Sequence, residues 1–227
     1  MTQKNDPASN LAKVRAAIAK AAEDAGRDPS DIHLVAVSKV HEADTIEPVL
    51  KAGHRLFGEN RVQEAEAKWP ALREKYPDIT LHLIGPLQSN KVKNAVATFD
   101  VIETVDRLKI ARTLASEFER TGRNLPCYVQ VNTGEEPQKA GVAPADVEAF
   151  VKECRDDLGL DIRGLMCIPP IDEEPALHFA LLSDLADQME LSVKSMGMSA
   201  DYEKAISLGA THVRVGTAIF GERPIRN

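Results

Sequence analysis

The chain has 227 residues, with 28 Lys and Arg against 35 Asp and Glu, a formal net charge of -7, 43% hydrophobic and 4% aromatic residues, and 3 Cys. An acidic balance without clustered positive charge argues against a general nucleic-acid or anionic-membrane binder, and no stretch approaches the roughly 20 apolar residues a spanning helix needs. Cys127, Cys154 and Cys167 are odd in number and spaced for neither a disulfide framework nor a zinc site, which predicts a reduced, cytoplasmic setting and no metal.

The polar start, Met1 to Asn10, lacks the apolar region of a signal peptide and reads as a flexible N-terminus, with residues 11–227 forming a single domain. Leu11, Val14 and Ile18 recur at helical spacing ahead of Gly26, predicting an amphipathic helix over 11–25. A short apolar run over 32–37 fits a buried strand. An alternation then sets in: helix 43–52, strand 55–58, helix 62–76, strand 81–85, helix 91–99, strand 101–105, helix 108–121 and strand 127–132. It continues with helix 146–157, strand 162–168, helix 175–189, strand 192–196, helix 202–208 and strand 212–216.

Eight short apolar strands alternating with helices, close to the βαβ repeat of about 30 residues, mean a parallel sheet covered on its outside. The strand count and the length favour an α/β fold of one (β/α)8 TIM-type barrel over an open doubly wound sheet, and no G-x-G-x-x-G opens a first helix. Only Pro224 to Asn227 remain beyond the last motif, so the first helix is expected to cover the place a final long helix would take, as an extra N-terminal element.

Reactive groups in such barrels gather at the C-terminal ends of the strands. Lys39 follows the first strand there, where an amine freed of its proton by desolvation could attack an aldehyde or ketone to form a Schiff base; snorkelling to water or pairing with Glu59 is the alternative. In His212-Val213-Arg214-Val215-Gly216 the alternation places Arg214 inside the barrel if the valines face the helices. A buried guanidinium must then meet an anion, a polar ligand or a barrel carboxylate. Met196-Gly197-Met198-Ser199 and Gly216-Thr217 end strands seven and eight, where glycines let backbone N–H groups approach a phosphate and Ser199 and Thr217 add hydroxyls. Together these features describe pyridoxal 5'-phosphate better than any one of them does.

At this point the chain resembles the pyridoxal phosphate homeostasis protein family, whose barrel is similar to the N-terminal domain of alanine racemase. The resemblance is carried by Ala36-Val37-Ser38-Lys39, Phe57-Gly58-Glu59-Asn60, His82-Leu83-Ile84-Gly85-Pro86-Leu87-Gln88-Ser89-Asn90-Lys91, Lys139-Ala140-Gly141, Ser195-Met196-Gly197-Met198-Ser199 and Val213-Arg214-Val215-Gly216-Thr217. It implies that Lys39 forms the covalent aldimine, that Ser199, Gly216 and Thr217 with Met198 grip the phosphate, that Arg214 faces the pyridine nitrogen and that Asn60 lies near the ring. Arg61, Leu81, Leu83 and Gln138 depart from the family pattern at positions outside those contacts.

The function this resemblance implies is buffering, protection or delivery of the cofactor, with pyridoxal phosphate-dependent apo-enzymes as recipients, no nucleic acid or membrane partner, a monomeric state, and no or marginal catalysis. An amino-acid racemase using the same lysine, with His82 as an in-barrel acid or base, is the alternative. A Schiff-base aldolase acting on a sugar phosphate, and an interaction protein presenting helix 108–121, are further readings.

Overall fold

A computed structural model describes residues 6–222. The segments 1–5 and 223–227, with the sequence reading of Pro224 to Asn227, lie outside the described residues. The helix expected from Leu11 starts earlier, as α1 (Pro7–Asp24). Asp6 caps it by accepting from the Ala8 and Ser9 amides, and Pro7 supplies a preset φ at the first helical position. It stops at Gly26, whose φ of +68° suits a residue without Cβ. Leu11, Val14, Ile18 and Ala22 form its buried stripe.

Eight parallel strands close in sequence order: β1 (His33–Val37), β2 (Leu56–Glu59), β3 (Thr80–Leu83), β4 (Val101–Val105), β5 (Cys127–Val131), β6 (Ile162–Cys167), β7 (Val193–Ser195) and β8 (His212–Val215). The barrel shuts where β8 pairs with β1, Val35 opposite Arg214 and Ala36 opposite Val215. Outside it run α2 (Ala43–Lys51), α3 (Val62–Lys75), α4 (Val92–Thr98), α5 (Leu108–Thr121), α6 (Val147–Lys152), α7 (Pro175–Gln188), α8 (Tyr202–Ser207) and the single turn α9 (Thr217–Phe220). The helix expected over 146–157 changes pitch after α6, continuing as a π-helical stretch over Glu153–Asp157.

Alternation along each strand sorts side chains into two compartments. Leu34, Ala36, Phe57, Leu81, Leu83, Ile102, Val129, Leu165, Val213 and Val215 join the shell between strands and helices. Val101, Tyr128 and Met166 form a separate cluster inside the barrel. Each fully buried Leu or Ile in the shell contributes roughly 1.5–3 kcal/mol of transfer free energy. α1 packs on α2, α8 and α9, and Asn10 Nδ2 donates to Ile219 O at 3.0 Å, so the first helix does cover the gap left by the short last one.

Candidate functional site

Lys39 stands two residues past β1, in the turn that follows the strand, whose Leu34 and Ala36 face the shell. It is half-buried. Glu59, the sequence's alternative partner for it, is buried and bonded to Lys68 of α3 at 2.7 Å. Burial pushes the Glu59 carboxyl up despite that ammonium and the bonds from Lys68 and Ser38.

Beside β1, Arg214 is 4% exposed on β8. Its Nη1 donates to Ser195 Oγ at 2.7 Å and its Nη2 to Cys167 O at 2.7 Å. Ser195 Oγ in turn donates to Glu103 Oε2 at 2.6 Å, and Glu103 Oε1 accepts from His82 Nδ1 at 2.6 Å. Burial alone would raise the Glu103 carboxyl, but His82, the Arg214 charge and Ser195 outweigh it and hold the group below the ordinary range. A guanidinium has five N–H donors, so one held by these two bonds keeps donors for a further acceptor within the barrel.

The ends of β7 and β8 are knit together by Ser199, whose Oγ accepts from the Gly216 amide at 3.3 Å and the Ala218 amide at 3.5 Å. Met198 is 38% exposed, its amide donating to Asp201 Oδ1 at 2.6 Å. A Cβ on Gly216 would stand 3.1 Å from Val37 O, so this glycine lets the end of β8 lie close against β1 just before Lys39. Thr217 opens α9 and is exposed. Across the rim, Gly85 after β3 lies against Asn60, and a Cβ there would meet the Asn60 carbonyl oxygen at 2.2 Å. Asn60 lines a depression of about 970 Å³ with Val40, His41, Arg61, Pro86 and Lys91, and Ser199 lines a second of about 490 Å³.

The structure therefore brings Lys39, Arg214, Ser199, Gly216 and Thr217 to the adjoining ends of β1, β7 and β8, with Met198 on the β7 loop and Asn60 farther round the rim at β2. An amine, a buried cation with uncommitted donors, and a cluster of hydroxyls and close-packed glycine backbone fit a phosphorylated pyridine aldehyde. His82 is 2% exposed, bonded to Glu103 and stacked on His212 at 6.1 Å between ring centroids. Cys127, Cys154 and Cys167 are free and buried, and burial pushes the Cys154 and Cys167 thiols up to about 12. Among the described residues no group of His, Cys, Asp and Glu is placed to hold a metal, and no helix is long and apolar enough to cross a membrane.

Two networks escaped the sequence reading. Lys68, Glu64 and Glu59 behind β1, and Glu103 with Ser195 inside the barrel, are both built from charges in otherwise apolar settings. Glu103 in the middle of Val101-Ile102-Glu103-Thr104-Val105 was a visible signal, because a lone carboxylate in a buried strand requires partners.

Residues 9–224 match the family described as alanine racemase, N-terminal domain. The chain is 43% identical over 221 residues to the pyridoxal phosphate homeostasis protein of Pseudomonas aeruginosa, covering 95% of each, and 39% identical over 228 residues to that of Escherichia coli K12, covering 96% of this chain and 97% of the relative. The solved structure of PipY from Synechococcus elongatus with PLP bound superposes with a TM-score of 0.82 at 39% identity, covering 95% of this chain and all of that one. Alanine racemase of Clostridium difficile shares the fold at a TM-score of 0.69 and 17% identity, covering 93% of this chain and 57% of that one.

Proposed function

The chain belongs to the alanine racemase N-terminal domain family and stands among the pyridoxal phosphate homeostasis proteins within it, and from that premise we propose that it binds pyridoxal 5'-phosphate at the ends of β1, β7 and β8 and serves intracellular cofactor homeostasis. The observation that carries this is the juxtaposition of Lys39 with a buried Arg214 on the paired strand and with the Ser199-to-Gly216 knot beside it.

When bound, the cofactor supplies an aldehyde that condenses with an amine, releasing water. Lys39 is the amine placed for it. Ser199, Gly216 and Thr217, with Met198 on the same loop, hold the phosphate, and Asn60 borders the ring from β2. Arg214 faces the pyridine nitrogen as a hydrogen-bond donor. Because a guanidinium stays protonated, it orients the nitrogen without giving it a proton, which leaves the ring a weaker electron sink than a carboxylate partner would. His82 is held by Glu103, which further supports a carrier with no or marginal catalysis over a racemase. The net charge of -7 disfavours nucleic acid and anionic membrane as partners, and the three free, buried thiols suit a reducing, cytoplasmic setting; the monomeric state and the apo-enzymes as recipients rest on the family resemblance.

The test is to incubate the loaded protein with a panel of single-enantiomer amino acids and, separately, with a pyridoxal phosphate-dependent apo-enzyme. Unchanged chirality together with activation of the apo-enzyme supports the carrier role. Racemisation of one amino acid at enzymatic rates would replace it with the racemase reading.

A further inference from the structure

Lys39 lies in a turn whose two neighbours are gripped from outside the barrel. Ser38 Oγ donates to Glu59 Oε1 at 2.6 Å, and Ser38 O accepts from Lys68 Nζ at 2.9 Å. The Val40 amide donates to Glu64 Oε1 at 2.5 Å, and His41 O accepts from the same Lys68 Nζ at 2.9 Å. Lys68 also lies 2.7 Å from Glu59 and 3.0 Å from Glu64, and Trp69 Nε1 donates to Glu59 Oε1 at 3.2 Å. Lys68 is 8% exposed and Glu59 fully buried.

Val40 carries the consequence. Its φ is +62°, in the left-handed region that a β-branched residue rarely enters. Such a conformation persists only where the surroundings over-determine it, and here the restraint is visible as the Glu64 carboxylate on the Val40 N–H and the Lys68 ammonium on the carbonyls of residues 38 and 41. A buried ion cluster is a poor source of net stability, but it is well suited to fixing one backbone conformation.

We infer that Glu64, Lys68 and Glu59 are positioning residues for Lys39: they hold Val40 in its left-handed turn and so aim the Lys39 amine at the aldehyde, without touching the cofactor. The inference rests on the cofactor reading above. It goes beyond it by assigning the lysine's reactivity to a cluster from β2 and α3, of which Glu64 and Lys68 line the rim depression that Asn60 and Val40 also border. The step it governs is addition of the Lys39 nitrogen to the aldehyde carbon, with the carbonyl oxygen leaving as water.

The experiment mixes apo-protein with pyridoxal phosphate and follows growth of the visible band of the lysine-bound cofactor. In parallel it measures affinity for pyridoxamine phosphate, which has the same ring and phosphate but no aldehyde. Glu64→Ala should slow the band about tenfold or more, since a small misplacement of a reacting group costs orders of magnitude in rate. It should leave pyridoxamine phosphate affinity within about twofold of wild type, because that ligand needs no aimed amine. Adding Val40→Asn, a residue that accepts the left-handed region more readily, should return part of the lost rate, which a merely loosened fold would not allow. Lys68→Met, which leaves two carboxylates without their cation, serves as a harsher second variant once circular dichroism shows it folded. Wild-type rates in Glu64→Ala, or equal losses of rate and of pyridoxamine phosphate affinity, would overturn the inference. Failure of the wild-type protein to form any band would overturn the cofactor reading itself, so the two failures are told apart in the same experiment.

Discussion

Arg214 and Glu103 illustrate how a charge is kept inside a barrel. Neither meets the other directly; Ser195 Oγ stands between them, 2.7 Å from the guanidinium and 2.6 Å from the carboxylate, and His82 completes the carboxylate's partners. Removing one member leaves a buried charge without compensation, so Glu103→Ala should destabilise the protein by about 3–5 kcal/mol, read as a lower urea midpoint. A surface carboxylate such as Glu148 should be neutral to the same change. Ser199 works by acceptance rather than charge, and Ser199→Ala frees the Gly216 and Ala218 amides from their shared acceptor. Pyridoxal phosphate affinity should then fall about five- to tenfold, the worth of roughly one hydrogen bond, as measured by fluorescence titration.

At the scale of elements, close strand packing rather than side-chain chemistry sets where the rim loops can go. Gly164 of β6 lies so near β7 that a Cβ would sit 2.2 Å from Val193 O. Gly164→Ala should therefore part β6 from β7 and cost about 1–3 kcal/mol, seen as a lower thermal midpoint. Much of this level was legible in the sequence. Short apolar runs between amphipathic helices gave the barrel, the alternation in Val213-Arg214-Val215 turned Arg214 inward, and the late glycines marked the ends of β7 and β8. The earlier start of α1 was signalled by Asp6 and Pro7, a cap and a first-turn proline that the apolar stripe from Leu11 overshadowed. What stayed hidden depends on register between distant strands. Ser195 lies 92 residues from Glu103, and Glu59 and Lys68 meet Ser38, and Glu64 meets Val40, only because β1 pairs with β2 and α3 folds back over both. No local period encodes such meetings.

The whole molecule combines an acidic surface, a net charge of -7, with histidines built into its lower barrel and shell. Burial lowers the His54 imidazole to about 4 and the His212 imidazole to about 3, against an unfolded value of about 6.5. The folded chain thus binds these protons more weakly than the unfolded chain does. The stability this gives is complete above about pH 6.5 and is lost as the pH falls through 4 toward 3. Glu103, held low, adds to the loss below the ordinary carboxylate range, while Glu59, held high, opposes it by taking up its proton early in the folded state. The thermal midpoint should be flat from pH 7 to 8 and fall steadily below about pH 6, and His212→Gln should flatten that fall.

The proposed function turns on one covalent contact, between Lys39 and the cofactor, and the visible absorption spectrum tests it most directly. Wild-type protein and Lys39→Ala would be titrated side by side with pyridoxal phosphate, followed by borohydride reduction and peptide mass mapping. The structure predicts a visible band in the wild type, its absence in Lys39→Ala, and a reduced pyridoxyl adduct on Lys39. A band of equal strength in Lys39→Ala, or an adduct confined to another lysine, would contradict the account.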